Sequence, residues 1–184
     1  MDKKIQIYFV DVMPKLAAQA LIDEHISSQI MNCVRILCNA HRILDGNKYV
    51  LYDEREPLFY KVKQIKNPWS KWCRETVQNY LWISDYLFHL LDEHKIRLNR
   101  KHRILDVGLP FLLQSPPHKL KEYEWTNPPL TIPDECLMKG PSFKVLSLPD
   151  IINFYRYFYA LSIRHIKPYK VGTHGWLEII KGND

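Results

Sequence analysis

The sequence predicts a mainly α-helical protein folded as a single compact domain, with three principal helices and long proline-rich loops. Apolar residues recur at three- and four-residue steps along 14–44, which is the pattern of a helix with one buried face. The chain has 184 residues, of which 46% are hydrophobic and 25% charged, enough for one domain with its own core. Gly-rich phosphate-binding patterns are absent, which leaves the Rossmann and P-loop nucleotide-binding folds without support.

The first predicted helix spans about 14–44. Pro14 suits the first turn of a helix, and Asp45–Asn47 contains the turn residues that end one. Ahead of this helix, the apolar run Ile5–Val10 fits either an edge strand or a buried extended segment.

Two further helices are predicted, at about 70–98 and 148–166. Ser70 is a suitable N-cap for the first of them. Between them, residues 106–146 hold seven prolines and are predicted to form a long loop with a short helix at 109–114. A loop of this length in a compact domain usually has a function or lies along the core.

Two segments have weaker patterns. Tyr49–Tyr52 and Leu58–Val62 fit the strands of a small hairpin, or together an irregular loop. Residues 167–184 are predicted to form a loosely structured tail in which Trp176 is the expected anchor.

The charge and the cysteine content indicate which partners and which cellular compartment to expect. The 26 Lys and Arg residues exceed the 20 Asp and Glu residues, and the net charge of +6 favours a polyanionic partner. The 4 cysteines form no CxxC pair, and the N-terminal apolar run is too short for a secretion signal or a membrane span. We therefore expect reduced thiols, an intracellular protein and no membrane partner. No metal-ligand spacing and no cofactor motif are visible, so neither a metal nor a cofactor is expected.

A row of polar residues accompanies the apolar stripe of the first helix. His25 and Asn32 share one face with Gln29 and Asn39, and Arg35 flanks this face. Such a row is by default the solvated face of a helix, and the alternative is a row that faces a cleft. In a cleft, His25 and Asn32 are candidate catalytic residues and Arg35 is a candidate phosphate ligand.

The second helix combines aromatic and polar residues at seven-residue steps. Trp72, Asn79 and Glu93 follow this spacing, and Arg74 and Trp82 lie close to them. The pattern is typical of a tryptophan-rich packing seam. It also fits an aromatic wall beside cations, which would stack a base and hold a phosphate, with Asn79 and Arg74 as ligands and Glu93 as a third catalytic candidate. In either case we expect Trp72 and Trp82 to be buried.

The strongest electrostatic feature is the basic run His94–Arg103, which contains no acid. A charge run is usually a solvated surface, but this one has the density of cations that binds a nucleic-acid backbone. The candidate phosphate ligands are Arg97, Arg100, Lys101, His102 and Arg103, joined by Arg156 of the third helix. That helix also contributes Tyr155 and Tyr159 as base-stacking or core residues.

Several ordered motifs resemble a family of small, mostly uncharacterised helical proteins of phages and large viruses. The segment Asn67–Trp82 is similar to the family pattern HPCxxWxRxSxxNYxWL, with Asn67 where the family usually has His. The sequences IPDE at Ile132–Glu135 and FYRYFY at Phe154–Tyr159 are similar to the family's MPDE and AYRxYY segments. The resemblance covers residues 11–166 and implies a viral protein located in the host cytoplasm or nucleus.

The first helix is also distantly similar to that of the pyrimidine-dimer DNA glycosylases of the endonuclease V type, which are compact, basic and all-helical. The similarity lies in Asp23, His25 and Ile26. It implies base flipping, with Arg and Lys side chains on the DNA phosphates. The catalytic Glu of those enzymes falls seven residues after the His, where this chain has Asn32. Because an amide is neither an acid nor a base at neutral pH, we expect weak or absent glycosylase activity.

Three functions stay open at the level of the sequence. The first is a DNA-handling protein of the dimer-glycosylase type. The second is a viral enzyme that modifies a nucleotide or a base, in which one cleft holds a small phosphorylated substrate. The third is a non-catalytic structural or host-interaction protein. The cleft of the second function would be formed by His25, Asn32, Arg74, Asn79 and Glu93.

Overall fold

The computed structural model describes residues 5–46, 60–61, 63–133, 136 and 146–163. This part of the chain is mainly helical, as predicted. The helices run over Pro14–Gln19 (α1), Asp23–Leu44 (α2), Pro68–Trp72 (α3), Val77–Leu98 (α4), Leu109–Leu112 (α5) and Leu148–Ile163 (α6), with a 3-10 turn at Arg103–Leu105. The two long helices, α2 and α4, pack against each other, and α1 packs against α4.

The N-terminal segment, Ile5–Val10, is a buried non-helical piece of chain within the core. Its aliphatic side chains and Phe9 are at most 1% exposed. The ring centroid of Phe9 lies 4.6 Å from that of Trp82 and within 6.5 Å of the rings of three further tryptophans. These are Trp69, Trp72 and Trp125. Of the two alternatives for this segment, the structure selects the buried one over the edge strand.

The predicted first helix is divided into α1 and α2, which corrects the expectation of one continuous helix. Side chains far along the sequence satisfy the backbone groups that this break exposes. The Arg97 guanidinium donates to the carbonyl oxygens of Gln19 at 2.8 Å and Leu21 at 2.6 Å. The Tyr159 hydroxyl accepts the N–H of Ile22 at 2.8 Å. Because these partners are distant in sequence, local periodicity does not reveal the break.

The predicted second helix is likewise divided, into α3 and α4. The N-cap of α3 is Asn67, and the predicted cap Ser70 lies inside that helix. Asn67 Oδ1 accepts the Trp69 N–H at 2.9 Å, and a proline at the first helical position has no N–H to satisfy. Thr76 caps α4, because its hydroxyl accepts the Asn79 N–H at 3.1 Å.

The long loop predicted over 106–146 lies along the core in its described part. Leu113, Leu120 and Ile132 are buried, and α5 falls within the short helix predicted at 109–114. The third helix begins at the predicted position, as α6. The hairpin strand Tyr49–Tyr52 lies outside the described residues, as do nearly all of Leu58–Val62, the predicted end of the third helix at 164–166 and the tail 167–184.

The four cysteines are free thiols, and all of them are buried. Burial raises the pKa of Cys38 to about 12, so this thiol stays protonated and unreactive at neutral pH. None of the described helices is both long and apolar enough to cross a membrane.

Trp82 tests the arrangement of the core. Its side chain is 6% exposed, and its Nε1 donates to the Val12 carbonyl at 2.7 Å. Trp82→Ala should lower the free energy of unfolding by about 3–5 kcal/mol, because it removes a large ring next to Phe9. Trp82→Phe keeps a ring and loses the hydrogen bond, so its cost should be smaller. Urea unfolding followed by circular dichroism measures both, and a cost below about 1 kcal/mol for Trp82→Ala would contradict this packing.

Candidate nucleic-acid interface

The polar row of α2 holds the N-terminal segment by hydrogen bonds. Gln29 is 2% exposed, donates from Nε2 to Gln6 O at 2.9 Å and accepts the Tyr8 N–H at 3.4 Å. Asn32 Nδ2 donates to the same Gln6 carbonyl at 2.9 Å. These two amides supply the backbone partners that a neighbouring strand supplies in a sheet. The solvated-face interpretation is therefore wrong for Gln29.

Asn39 and Asn79 act in the same way on two other non-helical parts of the chain. Asn39 is 1% exposed, donates to Lys63 O at 2.7 Å and accepts the Lys63 N–H at 3.2 Å. Asn79 is fully buried on α4, donates to Thr126 Oγ1 at 2.6 Å and accepts the Thr126 N–H at 3.2 Å. An amide side chain presents a donor beside an acceptor, as a peptide group does, and it can therefore pair with a backbone that no strand accompanies.

His25 lies near the start of α2 among aromatic rings. Its ring stacks on Tyr8 with centroids 5.3 Å apart, and its Nδ1 lies 3.2 Å from the Tyr159 hydroxyl. Burial lowers the pKa of His25, against a smaller opposing effect of the Glu24 carboxylate. The imidazole is therefore neutral at pH 7, and aromatic packing is its main described contact.

Arg74 and Arg156, two of the predicted phosphate ligands, donate to the protein's own backbone. Both terminal nitrogens of Arg74 donate to carbonyl oxygens, each at 2.9 Å. Arg156 Nε donates to Val10 O at 2.7 Å, and its Nη2 forms an ion pair with Asp11 at 3.0 Å. Both cations therefore fix non-helical segments against helices.

Arg97 and Glu93 form an ion pair on α4, with Nε and Oε2 2.6 Å apart and side chains 12% and 13% exposed. Arg97 also pairs with Asp23 at 3.3 Å, in addition to closing the break between α1 and α2. These contacts occupy the guanidinium, so the structure gives Arg97 a structural role in place of the predicted one as a phosphate ligand. They also engage the Glu93 carboxylate.

The four aromatic candidates for base stacking are core residues. Trp72, Trp82, Tyr155 and Tyr159 are at most 6% exposed, which confirms the predicted burial of the two tryptophans. Trp72 Nε1 donates to Thr126 O at 3.0 Å, so its polar edge is also engaged within the protein. A ring buried to this degree has no free face for a base.

Three further cations of the basic run lie at the surface. Arg100, Lys101 and Arg103 are exposed, and none of them forms a side-chain hydrogen bond or an ion pair with a described residue. They border a cleft of about 240 Å³, here named the basic cleft. It is lined by Ser27, His94, Arg100, Lys101, His102 and Arg103. None of these described lining residues is an acid, so they offer an anion only cations and neutral polar groups.

Hydrogen bonds fix the tautomers of the two histidines in the basic cleft. His94 Nδ1 lies 3.0 Å from Arg100 O, which can only accept, so Nδ1 carries the proton. His102 Nδ1 accepts the Ile104 N–H at 3.3 Å, so the proton of neutral His102 is on Nε2. Burial, followed by the charges of His94, Arg103 and Arg100, lowers the pKa of His102. At neutral pH, His102 therefore lines the cleft as an uncharged N–H donor.

Sequence reasoning did not identify Ser27 and His94 as site residues. Ser27 lies on α2, and the packing of α2 against α4 brings it to the basic run, which no local pattern indicates. Arg35, the remaining predicted phosphate ligand, is half-buried on α2 and is not among the residues that line the cleft. In the part of the chain that the structure describes, no three His, Cys, Asp or Glu side chains are grouped as metal ligands.

Comparisons of the chain with protein-family models, curated proteins and solved structures found no match. The similarities to viral helical proteins and to dimer glycosylases therefore remain predictions from the motifs.

Asn32 is a donor in this structure, and Asn32→Glu should therefore destabilise the protein by about 1–3 kcal/mol. A carboxylate cannot donate to the Gln6 carbonyl, and its oxygens would lie next to the carbonyl oxygen, which is also an acceptor. Ser28→Glu adds the same charge at an exposed position of α2 and should cost less than about 0.5 kcal/mol. Urea unfolding measures both free energies, and equal costs for the two variants would contradict the role given to Asn32.

The pH dependence of stability tests the environment of His25. Its pKa in the folded state lies below the value of about 6.5 in the unfolded chain, so protonation favours unfolding. The contribution of the neutral His25 ring to the free energy of unfolding is fully present above about pH 6.5 and is lost as the pH falls from there through the folded-state pKa. In His25→Asn, an amide oxygen replaces Nδ1 and does not titrate in this range. The free energy of unfolding of this variant should decrease less than that of the wild type between pH 7 and pH 5. Parallel decreases would show that His25 does not titrate with folding.

Proposed function

We propose that this protein binds the sugar-phosphate backbone of DNA through the basic cleft and that it does not cleave the glycosidic bond. The observation that carries the proposal is a set of three exposed cations that pair with no described residue: Arg100, Lys101 and Arg103. Phosphate contacts of this kind release counterions and need no base-specific residues. The similarity to dimer glycosylases makes duplex DNA the first partner to test.

The state of the other cations supports this assignment. Arg74, Arg97 and Arg156 are all held by backbone carbonyls or carboxylates of the protein itself. A cation that binds a phosphate must give up its internal partners, whereas Arg100, Lys101 and Arg103 have no such partner among the described residues. The basic run therefore contains both a structural cation and several available ones.

The chemistry at the glycosylase-like position favours binding without catalysis. Asn32 has no carboxylate, and its amide donates to the Gln6 carbonyl. The Glu93 carboxylate accepts from Arg97. General acid–base catalysis contributes about 10²–10⁴-fold to a rate, and neither side chain has a free carboxylate to supply it.

A charge-matched pair of triple variants tests the proposal. In the first, Arg100→Gln, Lys101→Gln and Arg103→Gln remove three positive charges from the basic cleft. In the second, Lys61→Gln, Lys66→Gln and Lys71→Gln remove three exposed charges elsewhere. The first should weaken binding to duplex DNA of any sequence, and its salt slope should fall by about 0.9 for each phosphate that the variant no longer neutralises. The second should retain a slope close to that of the wild type.

Fluorescence anisotropy at several salt concentrations gives both affinities and slopes. Equal losses of affinity in the two triple variants would show that overall charge, rather than the basic cleft, carries the binding. An undiminished slope in the first variant would remove the basic cleft from the interface.

A further inference from the structure

The size of the basic cleft points to a small anionic group. Its volume of about 240 Å³ is below the roughly 300–1,000 Å³ of pockets that enclose a whole drug-sized ligand. A phosphate fits this scale, with the attached nucleoside outside the cleft. An internal phosphodiester carries one charge and has a sugar on either side. A phosphate monoester has three free oxygens and a charge of about −1.5 to −2 at pH 7.

The lining of the cleft matches the monoester. Arg100, Lys101 and Arg103 bring three positive charges to one concave surface. His102 adds an uncharged N–H, because its Nδ1 is already engaged as an acceptor. Ser27 adds a hydroxyl from the opposite helix, and this hydroxyl forms no hydrogen bond with a described residue. Charge-assisted hydrogen bonds to three oxygens need several such donors around one point.

The walls of the cleft are held in place before any ligand arrives. His94 is 2% exposed, and its Nδ1–H donates to the carbonyl of Arg100. The rings of His94 and His102 meet edge to face with centroids 5.0 Å apart. These contacts fix the backbone that carries the cations, so ordering it adds little to the cost of binding.

We propose that the basic cleft is a site for a terminal phosphate monoester, the phosphate at the end of a nucleic-acid strand. This inference rests on the proposed function and extends it: the protein prefers strand ends that bear a phosphate over intact backbone. A free nucleoside monophosphate presents the same group, and titrations with duplexes and with a free nucleotide separate the two sources.

Duplexes of one sequence test the inference, with 5′-phosphate, 3′-phosphate or only hydroxyl ends. We expect a duplex with one of the two phosphorylated ends to bind about tenfold more tightly than the hydroxyl duplex. In His102→Asn, the amide oxygen still accepts the Ile104 N–H, but the Nε2–H is removed. This variant and Ser27→Ala should reduce the preference, taken as the ratio of the affinities of one variant for the phosphorylated and the hydroxyl duplex, to about twofold or less. Ser28→Ala, at the exposed neighbouring position, should keep the full preference.

The outcomes separate the two proposals. Equal affinity for all three duplexes would overturn the terminal-phosphate site and leave backbone binding intact. If no duplex binds, the proposed function fails. Titration with inorganic phosphate and with adenosine monophosphate then tests whether the basic cleft binds a free phosphate group. Saturable shifts of the His94 and His102 imidazole signals in ¹H–¹⁵N spectra of the wild type would then support a monoester site for free nucleotides, provided that the His94 signal of the His102→Asn variant does not shift. Unshifted signals would overturn it.

Discussion

The structure depends on one requirement: a non-helical segment buried among helices needs hydrogen-bond partners for its backbone, and side chains must supply them. The N-terminal segment shows this most clearly. The carbonyl of Ile5 accepts from Asn67, that of Gln6 from Gln29 and Asn32, and that of Val10 from Arg156. The four donors come from three elements: Gln29 and Asn32 from α2, Asn67 from the N-cap of α3 and Arg156 from α6. The segment therefore ties α2, α3 and α6 together around the tryptophans that surround Phe9.

This requirement also separates structural polar residues from functional ones. A buried polar side chain deprived of its partner would cost about 1–3 kcal/mol, so side chains such as Asn79 and Arg97 are held where they are. An exposed cation has no such constraint. Arg100, Lys101 and Arg103 are exposed cations without a side-chain partner among the described residues, and they meet at a cleft with His102 and Ser27. The proposed function therefore rests on cations that the described part of the fold does not use.

The sequence was sufficient for the helical class, for the burial of Trp72 and Trp82 and for the position of the basic run. It was insufficient where a local structure depends on a hydrogen-bond partner that is distant in the sequence. The break between α1 and α2 depends on Arg97 and Tyr159, which no periodicity around residue 20 can indicate. Likewise, an asparagine on a helix face has the same local pattern whether it faces solvent, a substrate or another segment. That pattern makes Asn32 a catalytic candidate, whereas the structure shows it bonded to Gln6.

Native-state hydrogen exchange of the amides of the N-terminal segment tests the central claim most directly. The Tyr8 N–H donates to Gln29 and the Ile5 N–H to Gln64, in a segment whose aliphatic side chains and Phe9 are buried in the core. If this segment holds the helices together, these amides should exchange only through global unfolding, with the same opening free energy as the central amides of α2 and α4. Exchange of Tyr8 at a much lower opening free energy, with α2 and α4 still protected, would show that the segment detaches alone and would contradict the account.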